Sequence, residues 1–589
     1  MAEGFLQRYS QELSALRRRA ARFAAAHPKI AGRLRLSAET ADDPHVERLV
    51  QSFAFVTARV RQKLDDEFPE LTGGLLETLY PHYLAPIPAM MLLGFTPAAG
   101  LQSLQRIARH TEIECEAVEN ENCRFRTTQE LVLAPLTLTA VRLQSQPIEA
   151  PLAPRLKAAA CLRLSLRPHE GVALDKLGLS TLRFQILAPW RDATALYELV
   201  HNHACGIALA RHADDPQALF LPASQIKPVG FAPEEGMLPY PATSFAGYRL
   251  LSEFFALPQK FLAFEIGGLA TWAGETLEIF IYLDQPLPAL ERQLGAESLA
   301  INTVPAINLF CDRTEPISLD GTRTEYTLVP DARQHATREV HSVTQVHLSD
   351  GAGYSARAAP FFAGRGESGV TWQLQRHFDP LDGSSEASIA LIDRVPVREA
   401  RGKLTASLET LVLNRDLPAR LPYGGGRPQM TLVNRIDAVT TVSALSAPTP
   451  VLRFADDEER HWRLASHLNL NHLSLLGGDG AALKEMLRLY VQSDRRDINL
   501  LIDAIVGLDS RAAMARVGGG AMVPGSEIDL TFDPGRIEPG SAYLFAMVLD
   551  RFFGLYGSIN SFTRLRVTMK GQDEPLADFP ARYAERPLL

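Results

Sequence analysis

Cysteine is scarce in this chain of 589 residues: Cys115, Cys123, Cys161, Cys205 and Cys311 are all there is. The odd number and wide spacing exclude a disulfide framework and predict reduced thiols. No apolar run reaches the ~20 residues a membrane-spanning helix needs. The opening Met-Ala-Glu-Gly-Phe-Leu-Gln-Arg has no apolar leader core. The expectation is a soluble, cytoplasmic protein. Excess positive charge is missing too. A formal net charge of -8 and a pI near 6.1 argue against nucleic acid as the main ligand, since phosphate selects a basic surface. Internal repeats, low-complexity runs and charged tails are also absent.

Catalytic signatures are equally sparse. Neither an H-E-x-x-H zinc motif nor a G-x-S-x-G nucleophile elbow occurs. His201-Asn-His203-Ala-Cys205 has metal-binding residue types, but on a helix only His201 and Cys205 share a face. Zinc takes three or four protein ligands, and no second cluster supplies the rest. Gly364-Arg-Gly366-Glu-Ser-Gly369 spells G-x-G-x-x-G, yet the alternating Val370-Thr-Trp372-Gln-Leu374 follows it. A dinucleotide fold requires a helix there. Tyr423-Gly424-Gly425-Gly426-Arg427-Pro428 and Gly518-Gly519-Gly520 lack the Lys-Ser/Thr of a phosphate-cradling loop and read as turns. No catalytic residue, cofactor site or metal site is expected. Distant carboxylates brought together by folding are invisible in a sequence, so a polysaccharide-acting hydrolase is the alternative reading.

What is present is ordinary globular composition, 46% hydrophobic and 22% charged, at a length that predicts roughly three or four domains. The first ninety residues are helical in pattern. Leu6, Tyr9, Leu13, Leu16, Ala20 and Phe23 step by three and four, forming one apolar stripe. Arg17, Arg18 and Arg19 lie on its polar side, which keeps a membrane-surface module open as a third reading. Asp43 as N-cap and Pro44 at the first position begin a second helix. Its stripe is Val46, Leu49, Phe53, Val56, Val60 and Leu64, and Pro69 blocks continuation. Asp65, Asp66 and Glu67 crowd its last turn, where the helix dipole disfavours negative charge. They are either solvated or held by a partner. Two apolar stripes require a covering surface, either each other or a partner.

From about Met91 the period changes to two. Leu162, Leu164 and Leu166 alternate with polar residues, as do Leu182, Phe184 and Ile186. A helix is expected from Asp192, its cap, to Cys205, with Gly206 as its stop. Leu277–Leu283 is another strand. A second β-rich section begins near Ile301, broken by turns at Asp320-Gly, Asp350-Gly and Asp382-Gly. Leu445-Ser-Ala-Pro-Thr-Pro450 reads as a linker. Beyond it the pattern is strand 468–475, helix 481–491, strand 505–517, strand 527–532, helix 543–556 and strand 564–569. The order β-α-β-β-α-β predicts a split-βαβ, ferredoxin-like arrangement. The fold class expected is α+β and multidomain: a helical segment 1–90, a first β-rich domain with short helices 91–300, a second β-rich domain 301–444 and a C-terminal α+β domain 445–589.

Several blocks resemble the TssF family (also called VasA or ImpG), baseplate subunits of bacterial type VI secretion systems. They are Ala26-His-Pro-Lys-Ile-Ala-Gly-Arg-Leu34, Asp43-Pro-His-Val-Glu-Arg-Leu49, Phe53-Ala-Phe55, Lys63-Leu-Asp-Asp-Glu-Phe-Pro-Glu-Leu71 and Leu79-Tyr-Pro-His-Tyr-Leu-Ala-Pro-Ile-Pro88. Later ones are Ile307-Asn-Leu-Phe310, Glu315-Pro-Ile317, Asp320-Gly-Thr-Arg-Thr-Glu-Tyr326, Asn414-Arg-Asp-Leu-Pro418 and Ser558-Ile-Asn-Ser-Phe-Thr-Arg564. From the residues alone, the 320–326 and 558–564 segments read either as connections or as docking loops. Ala89 departs from the family's Ser, and 370–400 and 476–520 match less closely.

The resemblance implies a fold similar to a contractile-phage baseplate wedge protein and a structural role without cofactors. It implies partners TssG, a second TssF copy, TssE, TssK and the VgrG spike, neither nucleic acid nor direct membrane insertion, and docking on the inner-membrane complex from the cytoplasm. It also assigns the two stripes, and the acidic end Asp65-Asp66-Glu67, to contacts with TssG or a second copy.

Overall fold

Apolar alternation organises most of the chain after Met90 into sheets, and a few strongly apolar helices hold the sheets together. In a computed structural model of the chain, the described residues run from 80 to 583, except 154, 242–243, 320–322, 335, 351–352, 362–368, 379–383, 394–403, 454–479, 492–495, 517–521 and 558–560. Before residue 80 they are Leu13, His45, Arg48, Leu49, 51–56 and Leu76. The chain divides into two compact units, Met1–Leu76 with Asp457–Ala465, and Glu77–Asp456 with Ser466–Leu589. Leu13, His45, Arg48, Leu49 and 51–56 are helical, as the stripes predict, and so is Leu76, beyond the expected stop at Pro69.

The second unit begins with a closed six-stranded barrel. Its strands follow in the order Met90–Pro97, Thr303–Ile307, Glu121–Thr127, Glu112–Val118, Met430–Leu432 and Val439–Ala444. Met91, Leu93, Phe95, Ile113, Phe125 and Val304 fill its core. The barrel draws strands from both sides of residue 300. A five-stranded sheet (Leu219–Pro222, Ala204–Ala210, Leu277–Leu283, Ala160–Pro168, Leu136–Ser145) and a four-stranded sheet (Ile226–Pro228, Ala263–Ile266, Leu182–Ile186, Leu299–Ala300) occupy the span between 130 and 300. An eight-stranded sheet follows, from Phe310–Arg313 to Leu404–Leu413, around a core of Val346, Leu348, Ile389, Ala406 and Leu408.

Helices gather these layers. Helix α1 spans Trp190–Asn202, α2 Ala246–Ala256, α3 Ala481–Leu489, α4 Arg496–Asp503 and α5 Pro539–Tyr556. Pro539 opens α5 at a position where its missing N–H costs nothing. Apolar residues cover almost its whole circumference, so it must be enclosed. Phe545 stacks on Phe254 of α2 at 5.8 Å between ring centroids and an interplanar angle of 7°. Tyr197 of α1 donates to Met547 Sδ at 3.0 Å, and Trp190 Nε1 donates to Ser541 Oγ at 3.1 Å. The strand Phe562–Met569 packs beneath.

Three sequence expectations are corrected. The helix expected from Asp192 to Cys205 ends at Asn202 and begins with Pro189 in the cap position. Asp192 lies in its first turn, where the dipole favours acid. Cys205 and Gly206 belong to the strand Ala204–Ala210, recruited by pairing of Gly206 with Tyr282. The segment expected to be a linker at 445–450 is laced along the first strand. Leu445 N donates to Leu92 O at 2.8 Å and Thr449 N to Met90 O at 2.9 Å, while Met90 N and Leu92 N donate to the Thr449 and Ser446 hydroxyls.

The C-terminal sheet is not split. The expected helices and the strands Ile505–Arg516, Met522–Phe532 and Phe562–Met569 form. However, the last two strands hydrogen-bond directly in parallel, from Gly525↔Phe562 to Phe532↔Met569. A ferredoxin-like sheet would place the expected strand 468–475 between them, and that segment lies outside the described residues. The expected turns at 320–321 and 382–383 also lie outside them, in whole or in part.

Gly540 gives the tightest contact at the α1–α5 crossing. A Cβ there would lie 2.7 Å from Thr194 C and Ala195 N, which are backbone atoms unable to swing aside. Gly540→Val is expected to destabilise the full chain by at least about 2 kcal/mol in chemical denaturation. A Cβ at Gly100 meets nothing within 4 Å, so Gly100→Ala should stay within about 0.5 kcal/mol of wild type.

Candidate interaction site

The expected partner-binding stripe is partly visible. Leu49, Phe53 and Val56, spaced by four and three on one helical face, are 72%, 62% and 56% exposed. Ala54 beside them is fully buried, and Leu13 of the first stripe is half-buried. Apolar side chains of this size, grouped on one face and left in solvent, mark an interaction surface more often than a monomer's exterior. Leu6, Tyr9, Leu16, Phe23, Val46, Val60, Leu64, Asp65, Asp66 and Glu67 lie outside the described residues.

In the second unit, the blocks that carry the family resemblance gather into two knots. The first is built on Tyr80-Pro-His-Tyr83. Pro81 starts a single helical turn, Pro81–Leu84. Tyr83 Oη donates to Leu489 O at 2.9 Å, joining residues 406 positions apart. Its ring meets Tyr490 edge-on at 5.8 Å, and Tyr490 stacks on Tyr248 at 4.8 Å and 12°. His82 lies against Tyr240 at 4.1 Å. Tyr240 Oη donates to Phe245 O at 2.9 Å, and Ile87 pairs with Leu452 through both backbone bonds. These rings and His341 line a small pocket without a carboxylate. The facing acid pair that polysaccharide hydrolysis requires is not assembled there.

The second knot is polar. Asn308 Nδ2 donates to Arg124 O at 2.7 Å and to Asn414 Oδ1 at 2.8 Å. Asn414 N returns a bond to Asn308 Oδ1 at 2.8 Å, and Arg124 N donates to Asn414 Oδ1 at 3.0 Å. Asn414 Nδ2 reaches Glu121 at 3.3 Å, which pairs with Arg338 at 3.1 Å. Arg338 also pairs with Asp312, and both Arg124 and Arg338 lie over the Phe310 ring. Asn308 and Phe310 come from one resemblance block and Asn414 from another, so these blocks encode a contact between barrel and large sheet. Next to it, buried Glu339 accepts from Arg453 Nη2 at 2.7 Å and from Ser385 Oγ at 2.6 Å. The partners of Asn308, Asn414 and Tyr83 lie far away in sequence, and no periodic signal announces them.

His201 packs on Tyr197 at 4.4 Å, whereas His203 Nδ1 faces Asp284 at 2.8 Å on the far side. Among the described residues no group of three His, Cys, Asp or Glu side chains converges as a metal site. The G-x-G-x-x-G match leads into the strand Val370–Phe378, as its alternation predicts. No described helix is long and apolar enough to cross a membrane.

Burial holds three histidines neutral. His82, His201 and His341 are each depressed to about 3, chiefly by desolvation, with nearby Arg551 adding to His201 and Arg376 to His341. The unfolded values lie near 6.5, so below that pH the unfolded chain binds more protons than the folded one. Stability is therefore expected to fall as pH drops from about 6.5 toward about 3, each histidine adding up to about 1.4 kcal/mol per pH unit. Denaturant midpoints between pH 7 and 4 check this, and His341→Phe should flatten the slope. Separately, Asn414→Ala removes the side-chain acceptor shared by Asn308 Nδ2 and the Arg124 N–H, leaving that N–H without it, and should cost about 1–3 kcal/mol in the same assay.

Comparison with known proteins agrees with these blocks. Residues 1–586 match the family model described as Type VI secretion system, TssF. The Type VI secretion system component TssF1 of Pseudomonas aeruginosa is 34% identical over 622 residues, with 99% of each chain covered. A chain of the type VI secretion TssK-TssF-TssG baseplate subcomplex, solved by cryo-electron microscopy, superposes with a TM-score of 0.73 at 25% identity, covering 92% of this chain and 100% of that one. A chain of a type VI baseplate complex superposes at 0.62 with 24% identity, covering 99% and 100%.

Proposed function

Because the chain belongs to the TssF family of type VI secretion systems, we propose that it is a structural subunit of the baseplate wedge and binds TssG and TssK. The observation that carries this reading is the likeness, over 92% of this chain, to a chain of the TssK-TssF-TssG subcomplex. On this reading the exposed face of Leu49, Phe53 and Val56, continued by the rest of the two stripes, packs in a helical bundle with TssG and a second copy of this chain. The second unit, tied by its two knots, serves as the rigid body of the wedge. TssE and the VgrG spike are its further neighbours, and the wedge supports assembly of tube and sheath. The work is done in the cytoplasm, with docking on the inner-membrane complex, and involves no catalysis or cofactor.

Phe53 and Leu13 test this. A Glu in an apolar contact brings in a charge without a partner. Phe53→Glu and Leu13→Glu, made in the full chain, are expected to abolish co-purification with TssG. Phe53→Glu, at an exposed position, should leave the denaturation midpoint unchanged. Retention of TssG by both variants contradicts the assignment of this face.

A further inference from the structure

One arginine of the barrel buries an N–H without an acceptor. Arg126, in the strand Glu121–Thr127, is 8% exposed. Its Nε is buried without a hydrogen-bond partner among the described residues. The neighbouring cations fare differently: Arg124 pairs with Glu114 at 3.0 Å, Arg338 with Glu121 at 3.1 Å and Arg453 with Glu339 at 2.7 Å. Glu112 stands opposite Arg126 in the strand register, yet forms no ion pair with it among the described residues. A buried N–H of a charged guanidinium without an acceptor is costly, and an anion meeting the group would offset that cost.

The surroundings add a second guanidinium and an imidazole. A turn at 108–111 is sewn to the end of the same strand. His110 N donates to Thr127 O at 2.9 Å, Thr111 N to Thr127 Oγ1 at 3.0 Å, and Thr127 Oγ1 to Ala108 O at 3.1 Å. His110 takes a left-handed conformation, with φ 67°. Arg109 and His110 are thereby held beside Arg126 and remain exposed. Arg109 is steadied by an Nη2 bond to Gly236 O at 2.9 Å, which leaves its other donors available. Partial desolvation, then the Arg126 and Arg109 guanidinium groups, hold the His110 imidazole down to about 4, so near pH 7 it is neutral with one ring N–H to donate. Burial lowers Arg126; Arg109 opposes its charge, while Cys311 and Glu112 partly offset both.

We propose that Arg126, with Arg109 and His110 beside it, forms a binding site for a small inorganic oxyanion of the phosphate type. The planar guanidinium fork matches two oxygens of such an ion, and the outer groups supply further donors. The depth of Arg126 suits an ion rather than a polypeptide segment.

The test titrates the full-length chain with inorganic phosphate at constant ionic strength by calorimetry, and follows the melting temperature in parallel. Wild type is expected to bind saturably and to melt higher as phosphate is added. Arg126→Met should weaken binding at least about tenfold. In phosphate-free buffer it should melt higher than wild type, because the buried charge is gone, so the two chains exchange order as phosphate rises. Arg109→Ala, at an exposed position, should weaken binding while the chain still melts cooperatively without phosphate. Absence of saturable binding by wild type overturns the proposal, as does unchanged affinity in Arg126→Met. If Arg126→Met does not fold, unchanged affinity in Arg109→Ala overturns it.

Discussion

Helix α5 has no face it can show to water. Fourteen of its eighteen residues are buried, from Gly540 to Tyr556. Such a helix is stable only when enclosed on all sides. The enclosure comes from widely separated parts of the chain: α1, α2 and the C-terminal strands. Phe545 is shared between Phe254 and Phe532. Tyr543 is shared between Tyr197 and Phe579. Forming α5 therefore fixes the C-terminal sheet against the layers built from residues 130–300. The close approach at Gly540 sets how near α1 can come.

Where apolar packing sets cohesion, the polar knots set register. Asn308, Asn414, Glu121 and Arg338 satisfy one another in the interior, and a half-made version of that network leaves several buried groups unpaired. Such a network tolerates one relative placement of barrel and large sheet. The Tyr80-Pro-His-Tyr83 turn does the same for the chain entering the second unit, locking it to Leu489 and Tyr490.

Much of this was legible in the residues, and what was not has a physical cause. The helix at 543–556 was readable because apolar residues encircle it. The strands at 162–166, 182–186 and 277–283 were readable because their period is two. The lacing of Leu445 and Thr449 onto Leu92 and Met90 was not, since Pro and Ser composition is shared by linkers and by irregular edge pairing. Nor was the direct pairing of Met522–Phe532 with Phe562–Met569, because strand order is a tertiary property that element order underdetermines. The stripe at Leu49, Phe53 and Val56 follows from helical spacing, but its exposure had to come from the structure. The deep, unpaired position of Arg126 had no sequence signal at all: an arginine alternating in a strand looks solvent-facing.

The central claim is that the apolar face at 49–56 is completed by another subunit while the second unit is a finished body. Hydrogen exchange on the full chain, alone and with TssG, tests it most directly. Amides of 51–56 should gain protection when TssG is added, while those of 539–556 should be strongly protected in both states. Unchanged exchange at 51–56 in the complex, or fast exchange through 539–556 in the free chain, would contradict the account.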